Sequence, residues 1–199
     1  MARMLALLLL AALAAPPDEG RVVERIVAVV RNPAGAAPRP ITLTKLTEEA
    51  RIALVGQGAM LAATAPLDAP ALAAALRLLV DEWLVADEAT RLKVDELPRE
   101  QVLAALRRFQ ARFPDRAGYQ AFLATVELTE EELEVTLARG LKVQRYLESR
   151  VGSPEASPLG ATRLPQDSFE VRVRQHLDEL RGRADVRVLV PELRQDGAR

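Results

Sequence analysis

The residues in this chain that could do chemistry are few, and their spacing decides what each could do. There is one histidine, His176, and no cysteine, so thiolate nucleophiles, disulfides and multi-histidine metal clusters are excluded by count alone. His176 stands between Val173 and Leu180 at helical spacing, and no serine or cysteine partner is marked beside it. It therefore reads as a boundary histidine rather than a general base. Asp81 and Glu82 are adjacent and point about 100° apart on a helix, which prevents them from facing each other as an acid pair. They read as a solvated face or a local ion pair. Glu130, Glu131, Glu132 and Glu134 follow Thr129 in a capping-box pattern, where acidic residues meet the positive end of a helix. Arg107, Arg108 and Arg112 form a small basic cluster, by default a solvated helix face, with contact to an anionic lipid or a partner as the alternative. No glycine-rich loop ending in Gly-Lys-Ser/Thr is present, so nothing points to bound nucleotide. No catalytic residue, metal ligand or cofactor is expected.

One set of side chains remains. Trp83, Phe109, Phe113, Tyr119 and Phe122 recur at helical spacing. Core packing is the plain reading of each, and the functional one is a groove for extended apolar polypeptide, since apolar contact needs no sequence code.

The elements that must position them are mostly helices. Hydrophobic residues make up 49% of the 199 positions and aromatics only 4%, a balance that favours helices over a β-sandwich. Lys and Arg total 27 against 28 Asp and Glu, so no basic field for nucleic acid exists. Met4 to Leu13 is apolar behind Arg3, Ala12-Leu13-Ala14 is a small-x-small site, and Pro16 and Pro17 follow. This reads as a signal peptide over 1–14, cut after Ala14. The run spans about 15 Å, half a bilayer core, so the mature chain is expected to be periplasmic or secreted, without a membrane anchor.

Arg21–Arg31 is rich in β-branched residues and reads as a strand, and Asn32–Pro40 as a loop. Ile41–Leu43 resumes extended structure, with Thr44 as a cap for a helix to about Val55. Asp68 caps a long helix carrying Leu72, Leu76, Leu79 and Trp83, with Leu78, Val80 and Leu84 widening its apolar side. Pro98 fits the first position of the next helix, with Val102, Leu106, Phe109 and Phe113 on one face. Asp115 caps a short helix, and Thr129 opens one with Leu133, Leu137, Leu141 and Leu147 inward. Gly152–Pro165 reads as a linker. A last helix, about Ser168–Arg181, is stopped by Gly182 and followed by a strand from Asp185. An isolated strand at each end would leave backbone groups unpaired. Val22–Val30 and Val186–Val190 are therefore expected to pair, with Ile41–Leu43 as a third strand. The result is one mainly α domain with a small β-sheet: a helical module over 21–151, the 152–165 linker, a helix and strand over 166–190 completing the same domain, and a polar tail at 191–199.

Specific stretches carry a resemblance. Val23–Val30 followed by Ile41–Leu46, Leu79–Leu84 continuing through Glu88–Leu92, Thr129–Leu133 with Val143–Leu147, and His176–Leu180 followed by Val186–Leu189 are similar, in order, to the chaperone core of SurA-type periplasmic proteins. The resemblance covers nearly all of Arg21–Val190. It implies a fold in which the C-terminal helix and strand pack back on the N-terminal module, and an ATP-independent holdase for unfolded, outer-membrane polypeptides. Where such chaperones often carry parvulin-type prolyl isomerase domains, this chain has only Gly152–Pro165, so isomerase activity is not carried over. The loop Asn32–Pro40 is also longer and richer in proline than the family's turn. The alternatives are an envelope adaptor binding one dedicated partner and, further off, a prolyl isomerase.

Overall fold

The structure is a computed structural model that describes residues 24–32, 37–94, 97–152 and 169–194. Residues 1–14, read from sequence as a signal peptide, residues 195–199 of the expected polar tail, and all of the expected 152–165 linker except Gly152 lie outside the described residues. The chain is mainly helical, with a three-stranded antiparallel sheet.

Strand β1 (Ile26–Arg31) sits at the centre of that sheet, between β2 (Arg39–Thr42) and β3 (Asp185–Val188). Val27, Ala28 and Val30 are buried, because a central strand must turn its apolar residues onto a core. Pro40 lacks an N–H and is placed on β2, an edge strand, where a missing donor costs least. On the other side, Ala28 pairs with Val188 and Val30 with Val186. The Leu189 N–H donates to the Val27 carbonyl at 2.8 Å and extends the ladder. The front and the end of the described chain are thus joined strand to strand, as the pairing argument from unpaired backbone groups requires.

The described residues form six helices, most of them opened by a cap. Helix α1 (Leu43–Gly56) is capped by Thr42, whose hydroxyl accepts from the Lys45 N–H at 3.2 Å. This displaces the expected Thr44 cap and takes Leu43 out of the strand. Thr42 ends β2 in extended geometry, which aims its side chain across the first turn, while the Thr44 N–H is taken by the Glu24 carboxylate. After a short 3₁₀ turn (Met60–Ala63), α2 (Ala69–Arg91) opens on Asp68, which accepts from the Ala71 N–H. Helix α3 (Arg99–Gln110) begins one residue later than expected, since Pro98 keeps an extended ψ and stands at the cap. Helix α4 (Arg116–Thr125) is capped by Asp115, and α5 (Glu130–Val151) by a complete Thr129–Glu132 capping box. Helix α6 (Phe169–Arg183) runs past Gly182. That glycine takes no left-handed conformation, so nothing about it stops the helix, and the chain turns at Ala184 into β3.

Two cores result. The first gathers the sheet, α2, the C-terminal half of α5 around Tyr146, Leu180 of α6, and Leu193. Leu193 is buried, so the stretch read from sequence as a polar tail at 191–199 contains a core residue. The second gathers Ile52 and Val55 of α1, Leu106 and Phe109 of α3, and Phe113. Tyr119, Phe122 and Leu123 of α4 and Leu133 of α5 complete it. Helices α1 and α5 each contribute to both cores and act as the two beams between them.

Besides Leu180 in the first core and an Arg172 bond to the Val151 carbonyl, α6 is held by two side-chain pairs. Arg181 holds both carboxylate oxygens of Asp81 on α2. Tyr146 Oη lies 3.0 Å from His176 Nε2, with Glu179 3.8 Å from Nδ1. A neutral imidazole protonated at Nδ1 satisfies both, with the tyrosine donating. Burial pushes the His176 pKa down, Glu179 pulls it up, and Arg150 and Arg183 add to the fall. Below the unfolded histidine value the open chain takes up a proton that the folded chain resists. Stability from this site is therefore full above about pH 6.5 and declines on acidification. Burial moves Asp81 and Glu82 upward, which acts in the opposite sense at lower pH. The histidine share is thus read by difference. Between pH 7 and 5 the wild type is expected to lose more stability than His176→Gln in denaturant melts, and parallel pH profiles would contradict the assignment.

Candidate functional site

Between the two cores, where the beams diverge, the surface opens into a cleft of about 510 Å³ lined by α1, α2, α3 and α5. Its width follows from small side chains. Ala53 and Gly56 on α1, Ala71, Ala74 and Ala75 on α2, Ala105 on α3 and Gly140 on α5 keep the helices' side chains from meeting. Leu54, Leu78, Leu79, Leu137 and Leu141 make the walls apolar. Leu78 is 54% exposed, which is unusual for a leucine in the middle of a 23-residue helix. It is exposed because it faces this opening.

Gly140 is the least expected residue of the lining. A glycine inside a helix costs roughly 0.5–1 kcal/mol relative to alanine, and its neighbour here is distant. A Cβ built on it would lie 4.0 Å from a Glu82 oxygen, in ordinary contact. No turn or close backbone approach requires glycine at this point. What it does is leave the cleft open.

One end of the cleft is polar. Arg139 on α5 donates from Nε to Glu82 on α2 at 2.8 Å and from Nη2 to Glu49 on α1 at 2.7 Å. Lys45 stands 3.1 Å from the same Glu49 oxygen. Glu49 is only 7% exposed, so its charge depends on these partners. Burial raises the Glu82 pKa against the pull of Arg139. Burial would lower the Arg139 pKa, but the two carboxylates outweigh it and hold it above the usual value. One arginine therefore ties three helices together beside the opening.

The five aromatic side chains read from sequence do not form one surface. Phe109, Phe113, Tyr119 and Phe122 are all buried and stack on one another with ring centroids 5.3–5.8 Å apart. Such contacts strengthen the second core. Phe109 alone also reaches the cleft wall. Trp83 packs against the first core with the Arg39 guanidinium 4.7 Å from its ring centre. Tyr119 Oη donates to Glu130 at 3.0 Å, and its pKa is pushed up to about 12, first by burial. The cleft is built instead from alanine, leucine and glycine.

The other candidates separate as well. Asp81 and Glu82 diverge to Arg181 and Arg139, in partly buried pairs that link distant parts of the chain rather than in local ones. Arg107 and Arg108 are exposed on α3, and Arg112 follows its end with a guanidinium beside Gly58. Among the described residues no group of three His, Asp or Glu side chains is placed to hold a metal ion. No described helix is long and apolar enough to cross a membrane.

No family model matches the chain, and comparison with curated proteins and with solved structures found no match.

Proposed function

We propose that this protein is an ATP-independent holdase, a chaperone that binds extended apolar polypeptide segments in the cleft between its two cores. The single observation that carries the reading is an open, apolar concavity, walled by leucine and alanine, in a domain whose ends are joined into one sheet. Apolar walls, with the fixed polar groups confined to one end, suit many clients in place of one.

The energetics are adequate. Micromolar binding needs about −8 kcal/mol. Three or four client side chains at roughly 1.5–3 kcal/mol each reach that order before ordering costs. The reading requires no nucleotide, metal or covalent step. The apolar leader and the ordered SurA-like stretches direct it to the bacterial envelope and to unfolded outer-membrane proteins as clients.

The test is dilution of a denatured outer-membrane β-barrel protein into buffer containing the purified chain and no ATP. Aggregation is expected to be delayed at near-equimolar chaperone, and peptidyl-prolyl isomerisation is expected to stay at background. A client that aggregates at its unassisted rate, together with no binding of unfolded peptides, would overturn the proposal.

A further inference from the structure

We infer that the cleft prefers apolar segments flanked by carboxylates, and that Arg107 and Arg108 are the groups that select them. The inference rests on the cleft reading above and names the class of segment it takes.

Where α3 meets α5 a shallow trough is lined by Gln101, Ala104, Arg107, Arg108 and Ala111 of α3 and its end and by Leu141 of α5. Leu141 also lines the cleft, so the two concavities meet over a single side chain. An extended chain leaving the cleft past Leu141 enters the trough that Arg107 and Arg108 line. Both arginines occupy the last turn of α3, where the helix dipole favours positive charge. That explains why the helix tolerates them, but it leaves their donors unused, since neither has an ion-pair partner among the described residues. The charges lining the cleft itself, Glu49 and Glu82, are already engaged by Arg139. The uncommitted charge along this path is therefore positive, and arginine suits planar carboxylates in paired hydrogen bonds.

The chain as a whole carries a formal charge of −1, so no long-range field assists. Selection would be local and sensitive to salt. An anionic bilayer is the other ligand that two arginines could suit. The trough meets the apolar cleft over Leu141, and that continuity suits a polypeptide lying in both better than a bilayer.

The experiment uses the full chain and fluorescent peptides that share one apolar core and carry Asp-Glu, Gln-Gln or Lys-Lys flanks. At low salt the acidic-flanked peptide is expected to bind about fivefold more tightly than the Gln-flanked one, and the preference is expected to vanish at about 0.5 M salt. The double variant Arg107→Gln/Arg108→Gln, both exposed positions, should lose the preference while keeping the Gln-flanked affinity. That retained affinity also reports that the fold and the cleft are intact. Equal binding of all three peptides, or a preference that survives in the double variant, would overturn the inference with the cleft reading still standing. Binding of none would overturn both. Equal peptide affinities with phosphatidylglycerol vesicle binding that is lost in the double variant would assign the arginines to a lipid surface instead.

Discussion

Replacing Arg139 by methionine is expected to destabilise the fold by about 1.5–3 kcal/mol, the range of hydrogen bonds to charged groups, since of the three side chains only Glu49 is buried. Arg139 is the common partner of Glu49 and Glu82, so its loss leaves two carboxylates, one of them nearly inaccessible to water, with Lys45 beside Glu49 as the remaining cation. Methionine fills much of the same space, so the loss reports charge rather than a cavity. The pH dependence gives a second readout. Burial already raises the Glu82 pKa in the native chain, and without Arg139 the largest opposing pull is gone and only the weaker one of Lys45 remains. A group whose folded pKa is raised loses stabilising weight as pH rises, so the variant should recover stability on acidification toward pH 5. The triple variant Glu49→Leu/Glu82→Leu/Arg139→Met should recover most of the loss, because apolar replacement of a buried ionic cluster is often neutral. Urea melts check all three. An Arg139→Met variant within about 1 kcal/mol of wild type, the range of a surface salt bridge, would show that the cluster is solvated and that the cleft's polar end is not held by it.

The second large effect separates function from stability. Gly140→Leu should abolish client binding, with a loss of at least about tenfold, or 1.4 kcal/mol, while leaving the fold as stable as before or more so. Gly140 lies mid-helix on α5, and the nearest atom to a Cβ built there is a Glu82 side-chain oxygen at 4.0 Å, so a leucine there projects into the opening without meeting backbone. Gly140→Ala is the control. It should stabilise the chain by about 0.4–1 kcal/mol through the unfolded state and bind peptides nearly as wild type does. Full client protection by a stable Gly140→Leu protein would mean that polypeptides bind elsewhere.

Much of the scaffold was legible from local grammar. Asp68, Asp115 and the Thr129–Glu132 pair announced their helices because a cap is a contact within three or four residues. The joining of the two end strands followed from backbone hydrogen-bond accounting, which holds at any sequence separation. Where two residues offered the same local chemistry, as with Thr42 and Thr44, the choice depended on the angle at which the strand enters the helix. Gly182 shows the converse: a glycine stops a helix only where the backbone needs its conformational freedom. The site was far less legible. Aromatic residues draw attention by size, but size is what a core takes first, and four of the five became the second core. The cleft is defined by what is small and by Leu78, a residue that looks like one more part of a wide apolar face. The Arg139 cluster joins residues 57 and 90 positions apart, and no periodicity encodes that. Gly140 was the available signal, a glycine placed mid-helix with no turn to make.

The most direct test of the central claim is site-specific photo-cross-linking to an unfolded β-barrel client from two exposed leucines. Leu78 lines the cleft, whereas Leu61 is 85% exposed in the 3₁₀ turn and does not. Cross-links from position 78, absent from position 61 and suppressed by Gly140→Leu, are the predicted result. Equal yields from both positions, or none from position 78, would contradict it.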